Sequence, residues 1–356
     1  MKMTAQPNSI EGPCDWTGGD IADDPRWRFA LSEDDIADIE RADAVAKSRN
    51  VDWRNMTADD FPLDGLAEKL RAIQEELEDG CGMARLSKLP VDRFAGRLRH
   101  IWYGIGLHLG TAVHQDYRGM MMRDIEDTKE DTDALFDHKL KTRDGQTFQS
   151  SKARTLSNGP LRFHTDRCDV VGLLCVRPSE SGGISRIASS VRVHNAMLAR
   201  RPDLAALLYG PYHRSRQGEE FGGEKMTYAL PVFGQHAGRF TSHYSRTYVE
   251  AAVEIDPRNK LSDKQLEAMD LLAALAAEHC MEFYFEPGDM QFLNNHVIYH
   301  ARTAYHDDQG PQRRLLHRLW LSMPNSRSLP EDHAVLWRNT KAGEIRGGIG
   351  LAPTTN

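Results

Sequence analysis

Residues 161–177 read Leu161-Arg162-Phe163-His164-Thr165-Asp166-Arg167-Cys168-Asp169-Val170-Val171-Gly172-Leu173-Leu174-Cys175-Val176-Arg177. The apolar run Val170–Val176 has strand length, and Arg162–Asp166 predicts a second strand just before it. From here to the C-terminal third the same texture continues. Strands are predicted over Ile184–Ala188, Ala229–Phe233, Arg239–Tyr244, Met281–Phe285, Met290–Leu293 and Leu315–Met323. Turn compositions such as Ser181-Gly182-Gly183 and Pro287-Gly288-Asp289 separate them. One helix interrupts at Lys264–Glu278, opened by a capping box in Ser262-Asp263-Lys264-Gln265.

Upstream the period changes to that of helices. Ser32 can cap Asp35–Ala46, while Leu63, Leu66, Leu70, Ile73 and Leu77 form an apolar stripe stopped by Gly80. A third stripe, Phe94 to Ile105, lies between Asp92 and Gly110. Helices first and strands later predict a mainly β fold with flanking helices, a sandwich or barrel core in one domain spanning 1–356. Its parts are a mostly helical flank over 1–119, a core over 160–324 and a flexible tail over 347–356. Met120–Ile125 reads as a strand, and Glu126–Arg154 is dense in charge with few large apolar residues, the composition of a lid insertion.

Composition narrows the function. The 356 residues carry a net charge of −7, opposite to the balance of a general nucleic-acid binder. No apolar stretch approaches a membrane span, and Met1–Ser9 has no signal-peptide pattern. Five cysteines without a CxxC fit a reduced, cytoplasmic setting, with Cys175 as a core thiol.

The 15 histidines then become the search list. Two His and one carboxylate on one face of an iron leave the opposite face open for substrates. A His-x-Asp pair suits that need, because residues i and i+2 of a strand point the same way. About one such pair is expected by chance in this composition; the chain has three, His114-Gln115-Asp116, His164-Thr165-Asp166 and His306-Asp307-Asp308. The last runs into a turn composition, and the first follows a helix stop with little β pattern, so His164 and Asp166 are preferred. A third ligand must come from another strand. His296 and His300 both offer one and, being four apart, share strand parity. Arg314 and Arg318 are also four apart, on the face opposite His317, and suit an anionic co-substrate.

Phe163-His164-Thr165-Asp166, Ser181-Gly182-Gly183-Ile184-Ser185, Pro287-Gly288-Asp289 with Asn294-Asn295-His296-Val297-Ile298-Tyr299-His300, and Gln312-Arg313-Arg314-Leu315-Leu316-His317-Arg318 occur in that order. Together they resemble the taurine dioxygenase-like (TauD/TfdA) family of iron(II)- and 2-oxoglutarate-dependent dioxygenases. The resemblance covers about half the chain, Gly159 to Pro324. It implies a double-stranded β-helix, the cupin-like jelly roll, with the metal in its mouth. It implies His164, Asp166 and His300 as iron ligands and leaves His296 outside the metal set. By the same resemblance Arg314 holds the far carboxylate of 2-oxoglutarate, Ser185 assists it, and Arg318 lies near the C1 carboxylate and reaches an anionic substrate in sulfonate-using members. The implied cofactors are Fe(II), 2-oxoglutarate and O2, and the implied products succinate and CO2. Halogenating relatives lack the carboxylate that Asp166 supplies, so hydroxylation or desaturation of a C–H bond is expected.

The expected partner is a small organic acid or amino-acid-like molecule, with no nucleic acid and no membrane; self-association is compatible with this. His114, Tyr244 and Asn158, with Arg318, are the candidate substrate-facing residues. Two other readings use the same residues: a non-catalytic jelly-roll ligand binder, and a zinc hydrolase built on two His and an Asp. The arginine pair and the absence of His-Glu-x-x-His count against the hydrolase.

Overall fold

The computed structural model describes residues 8–350 apart from 129–139, 142–146, 149–154, 217–218, 221, 308–309 and 311. Two sheets form the centre. The larger runs in the order Arg28–Ala30, Met83–Ser87, Met290–Asn294, Val170–Arg177, Leu315–Ser322, Thr111–Ala112, with Met122–Ile125 also paired to Leu315–Ser322. The smaller runs Met281–Phe283, Ser185–Ser189, Ile298–Arg302, Leu161–His164. Apart from the parallel edge pair Arg28–Ala30 and Met83–Ser87, the pairings within the two sheets are antiparallel. This is the jelly-roll core expected from the sequence.

Val170–Arg177 reads as a continuous apolar run because both of its faces are covered. Val170 and Leu174 pack with Ile101, Trp102 and Leu109 of the helix Leu98–Leu109 and with the helices Glu33–Ser48 and Ala67–Glu78. Val171, on the opposite face, joins Phe163, Ile187 and Ile298 of the smaller sheet and the helix Asp263–His279. Gly172 is needed here: a Cβ would lie 3.0 Å from the Trp102 ring, which stacks on Phe292 at 5.4 Å. Capping boxes at Ser32 and Ser262 start the two long helices as the sequence predicts.

Three findings add to or correct the expectations. The mostly helical flank expected over 1–119 also contributes a strand, Met83–Ser87, which lies inside the larger sheet and pairs with Met290–Asn294. The tail is packed through residue 350: Ile349 is buried, its N–H donates to the His114 carbonyl, and Gly348 N–H donates to Arg167. Arg346 explains why, because its guanidinium donates to the buried Asp169 carboxylate at 2.7 Å; residues 351–356 lie outside the described ones. Third, Ser190–Arg200 and Arg246–Ile255 are helices that the strand-rich reading passed over. The lid expected over 126–154 falls mostly outside the described residues. Its two ends meet, Glu126 N–H donating to Thr155 and Thr128 N–H to Leu156.

Candidate metal centre and its two cavities

Strand Leu161–His164 ends on its first candidate ligand, and His164 is the register partner of His300 on Ile298–Arg302. The two imidazoles therefore face each other across one rung, with ring centroids 4.2 Å apart. Asp166 lies just past the strand end. Its backbone N–H donates to the Asn295 side chain at 2.9 Å, and the Asn295 amide donates to the Cys168 carbonyl at 3.0 Å. Asn295 thus pins the turn that returns Asp166 to the histidines. His164 Nε2 lies 3.8 Å from Asp166 Oδ1, and His300 Nε2 lies 4.0 Å from Oδ2. Among the described residues, His164, Asp166 and His300 form the one group of three potential ligands whose donor atoms all lie within 4.8 Å of one another.

The protonation states suit a divalent cation. Burial pushes the His164 imidazole below its ordinary value and His300, beside it, down to about 3. Burial alone would raise Asp166, but Arg318, the two imidazoles and the Trp320 N–H together hold its carboxyl below the usual range. Two neutral imidazoles beside one carboxylate are what a metal requires of these ligands. His164 donates from Nδ1 to the Arg162 carbonyl at 2.9 Å, which leaves Nε2 as the lone-pair nitrogen. Trp320 donates to Asp166 Oδ2 at 2.9 Å, so one carboxylate oxygen is held while Oδ1 faces His164.

Sequence parity left His296 and His300 equal, and packing separates them. His296 is fully buried away from the pair, donating from Nε2 to Asp169 at 2.8 Å and accepting from Thr241 at Nδ1. His306 of the rival pair is exposed beside Glu180. Asp116 of the other rival faces Arg123 at 3.6 Å.

Two cavities adjoin the triad and share Asp166 and Arg318 in their walls. The first, a slot, is lined by His164, His300, Ser185, Arg302 and Arg314 among apolar Val171, Leu173, Phe285 and Leu316. Arg314 is 4% exposed and its Nη1 has no hydrogen-bond partner among the described residues. Its guanidinium stands over the Tyr305 ring at 5.0 Å, and burial draws its pKa down. Gly183 borders it at φ +66, where a Cβ would run into the Ser179 hydroxyl at 2.5 Å. Ser185 faces the same slot, with its hydroxyl 3.4 Å from the Gln291 side-chain oxygen. A buried guanidinium nitrogen without an acceptor, beside a hydroxyl and a metal-competent triad, fits the carboxylate end of 2-oxoglutarate.

The second cavity is lined by Gln115, Arg123, Arg167, Glu219, His243, Tyr248, Trp320 and Ile349 with Thr165, Asp166 and Arg318. Three of the four expected substrate-facing residues are not in it. Tyr244 packs behind the site on Tyr299 at 5.5 Å because its backbone carbonyl anchors Thr165. Asn158 is exposed, its carbonyl held by Tyr305. His114 holds the C-terminal segment through its carbonyl, and its ring lies near Gly119. Arg318 does line both cavities. Sequence reasoning missed Arg123 and Arg167, although an arginine inside the apolar run Met120-Met121-Met122-Arg123 and one adjoining Asp166 were visible signals.

Residues 50–320 match the family described as "Taurine catabolism dioxygenase TauD, TfdA family". FR-33289 synthase of Streptomyces rubellomurinus is 28% identical over 333 residues, 90% of this chain and 92% of that protein. A taurine hydroxylase-like protein of Stachybotrys chartarum is 28% identical over 306 residues, 84% of this chain and 76% of that one. Asparagine oxygenase, solved with Fe(II), 3-hydroxyasparagine and succinate, superposes with a TM-score of 0.63 at 17% identity, covering 90% of this chain and all of that one. The non-haem iron oxygenase OrfP, solved with Fe and alpha-ketoglutaric acid, gives 0.59 at 13% identity, with 83% and 93% covered.

Proposed function

The chain belongs to the taurine catabolism dioxygenase (TauD, TfdA) family and is an iron(II)- and 2-oxoglutarate-dependent dioxygenase of a small substrate; on that premise we propose the residues that carry the reaction and the substrate class. His164, Asp166 and His300 hold iron, and Arg314 with Ser185 holds the far carboxylate of 2-oxoglutarate. When bound, iron, 2-oxoglutarate and O2 supply the oxidising power that hydroxylates a C–H bond and leaves succinate and CO2. The observation that carries this is the convergence of three ligand atoms within 4.8 Å beside the unpartnered Arg314 Nη1.

The chain's own groups do the rest by position. The Arg162 carbonyl fixes the His164 tautomer, and Trp320 holds one Asp166 oxygen. Arg318 is braced by Gln115, whose side-chain oxygen accepts from Nε at 2.8 Å, and its Nη1 stands 3.4 Å from Asp166. Val171, Leu173, Phe285 and Leu316 exclude water from the slot, where charge interactions are strengthened. The substrate, an organic acid or amino-acid-like molecule, occupies the second cavity, whose shared wall with the slot brings it to Asp166. Relatives in fold solved with hydroxylated asparagine and arginine support that size and polarity.

The test is a screen of small acids and amino acids read as succinate formed together with product mass. A product heavier by one oxygen, formed in step with succinate, supports hydroxylation. Loss of two hydrogens would replace it with desaturation, and absence of any iron-dependent succinate would refute the reading.

A further inference from the structure

Among the described residues, no group accepts a hydrogen bond from two of the cations that line the second cavity. Arg123 on strand Met122–Ile125 and Arg167 beside Asp166 are 7% and 6% exposed, and both line the cavity. Among the described residues, Arg123 Nε and Arg167 Nη2 are buried and find no hydrogen-bond partner. Their nearest carboxylates stand off: Asp116 is 3.6 Å from Arg123, and Glu219 is 3.6 Å from Arg167, both beyond a good charge-assisted bond. Arg318, the third guanidinium in the wall, is already engaged by Gln115 and Asp166. Once Asp166 serves a metal, three guanidiniums line this cavity and Glu219 is the one other carboxylate among its described lining residues, with Asp116 near Arg123 and Glu224 acting on Arg167 from outside the wall. Buried donors of this kind call for an acceptor from outside the chain.

We propose that Arg123 and Arg167 form the binding site for the acid group of the substrate, a compact carboxylate, sulfonate or phosphonate, and so decide which end of the molecule faces the metal. This rests on the oxygenase reading for its second half only. The Arg167 guanidinium lies over the Tyr248 ring at 5.3 Å, which fixes the plane of its fork. Trp320 and Ile349 give the cavity its large apolar side chains, and Trp320 reaches Asp166. An acid head on the two arginines therefore directs the carbon chain along Trp320 toward the metal. The site assigns specificity to residues outside the pair Arg314 and Arg318.

Equilibrium binding to the full chain, without metal and again anaerobically with iron(II) and 2-oxoglutarate, tests this with four probes of one size: propanoate, propane-1-sulfonate, propylphosphonate and propanamide. At least one acid should bind roughly tenfold or more tighter than the amide. Arg123→Met and Arg167→Met should each weaken that acid ~10- to 100-fold. Arg123→Lys and Arg167→Lys keep the charge and lose the planar fork, so they should weaken it about tenfold while melting near wild type. No preference for acids over propanamide, or wild-type acid binding in the variants, overturns the assignment. Failure of 2-oxoglutarate to bind wild-type protein would instead refute the oxygenase reading and leave the acid-binding result standing.

Discussion

Replacing Arg314 by methionine separates binding from stability, because the two should move in different directions. In the free protein this guanidinium is 4% exposed, and one nitrogen has no acceptor. An unsatisfied buried donor costs about 1–3 kcal/mol. Its compensation is the Tyr305 ring at 5.0 Å, a contact worth ~0.5–2 kcal/mol. Arg314→Met removes both terms and fills similar volume, so unfolding stability should stay within about 1 kcal/mol of wild type or rise. The backbone N–H of residue 314 still donates to Asp307 at 2.8 Å, which keeps the local chain path. Binding should behave otherwise. A charge-assisted bond contributes about 1.5–3 kcal/mol, so 2-oxoglutarate should bind roughly 10- to 100-fold more weakly. Arg314→Lys should fall between, because a point charge cannot make the two-pronged fit. Anaerobic calorimetry with iron-loaded protein reads the affinity, and urea unfolding reads the stability. Wild-type affinity in Arg314→Met would remove this residue from the co-substrate site. A matching fall in stability would show that it serves the fold instead.

Other perturbations follow from the same contacts. Trp320→Phe keeps an aromatic ring but deletes the N–H held by Asp166 Oδ2, so iron affinity should fall ~10- to 100-fold in an anaerobic titration; unchanged affinity would mean that the bond does not orient the ligand. Asp169→Asn leaves the fully buried Arg346 without its counter-charge and should destabilise by about 3–5 kcal/mol in urea unfolding, and a loss below ~1 kcal/mol would contradict that role. Acid should weaken the fold early. Burial pushes His296 down to about 4 despite Asp169, and burial with Arg214 and Arg167 holds His243 well below its ordinary value. Unfolded histidine takes up its proton near pH ~6.5 and the folded groups do not, so stability falls as pH drops from there toward ~4, by about 1.4 kcal/mol per pH unit for each histidine. A urea midpoint flat between pH 7 and 5 would refute this.

The candidate site was legible in the chemistry of its residues more than in strand parity, because Asp166 lies past the end of Leu161–His164 and Arg314 just before Leu315–Ser322. His164 and Asp166 could be chosen because a strand-like run follows them, and Arg314 and Arg318 because they share a face. The third ligand was not decidable from spacing, since His296 and His300 are in phase. It took Asp169, folded back from the other side of the turn, to engage His296. Met83–Ser87 escaped notice because Ala84, Arg85 and Ser87 have weak β preference, and pairing with Met290–Asn294, some two hundred residues away, makes it a strand. Ser190–Arg200 begins Ser-Val-Arg-Val, a strand-like start, yet the Ser189 hydroxyl accepts from Arg192 N–H and sets a helix. The second cavity was the least readable, because it gathers Arg123, Arg167, Glu219 and Ile349 from four separate segments.

The most direct measurement is an anaerobic iron(II) titration of wild type, His164→Ala, Asp166→Ala, His300→Ala and His114→Ala, each checked for folding by thermal melting. One iron per wild-type chain is expected, kept by His114→Ala and lost in the other three by more than the ~10- to 100-fold that a supporting residue costs. Iron retained by the folded His164, Asp166 and His300 variants, or lost with His114 alone, would show that these three side chains are not the metal centre.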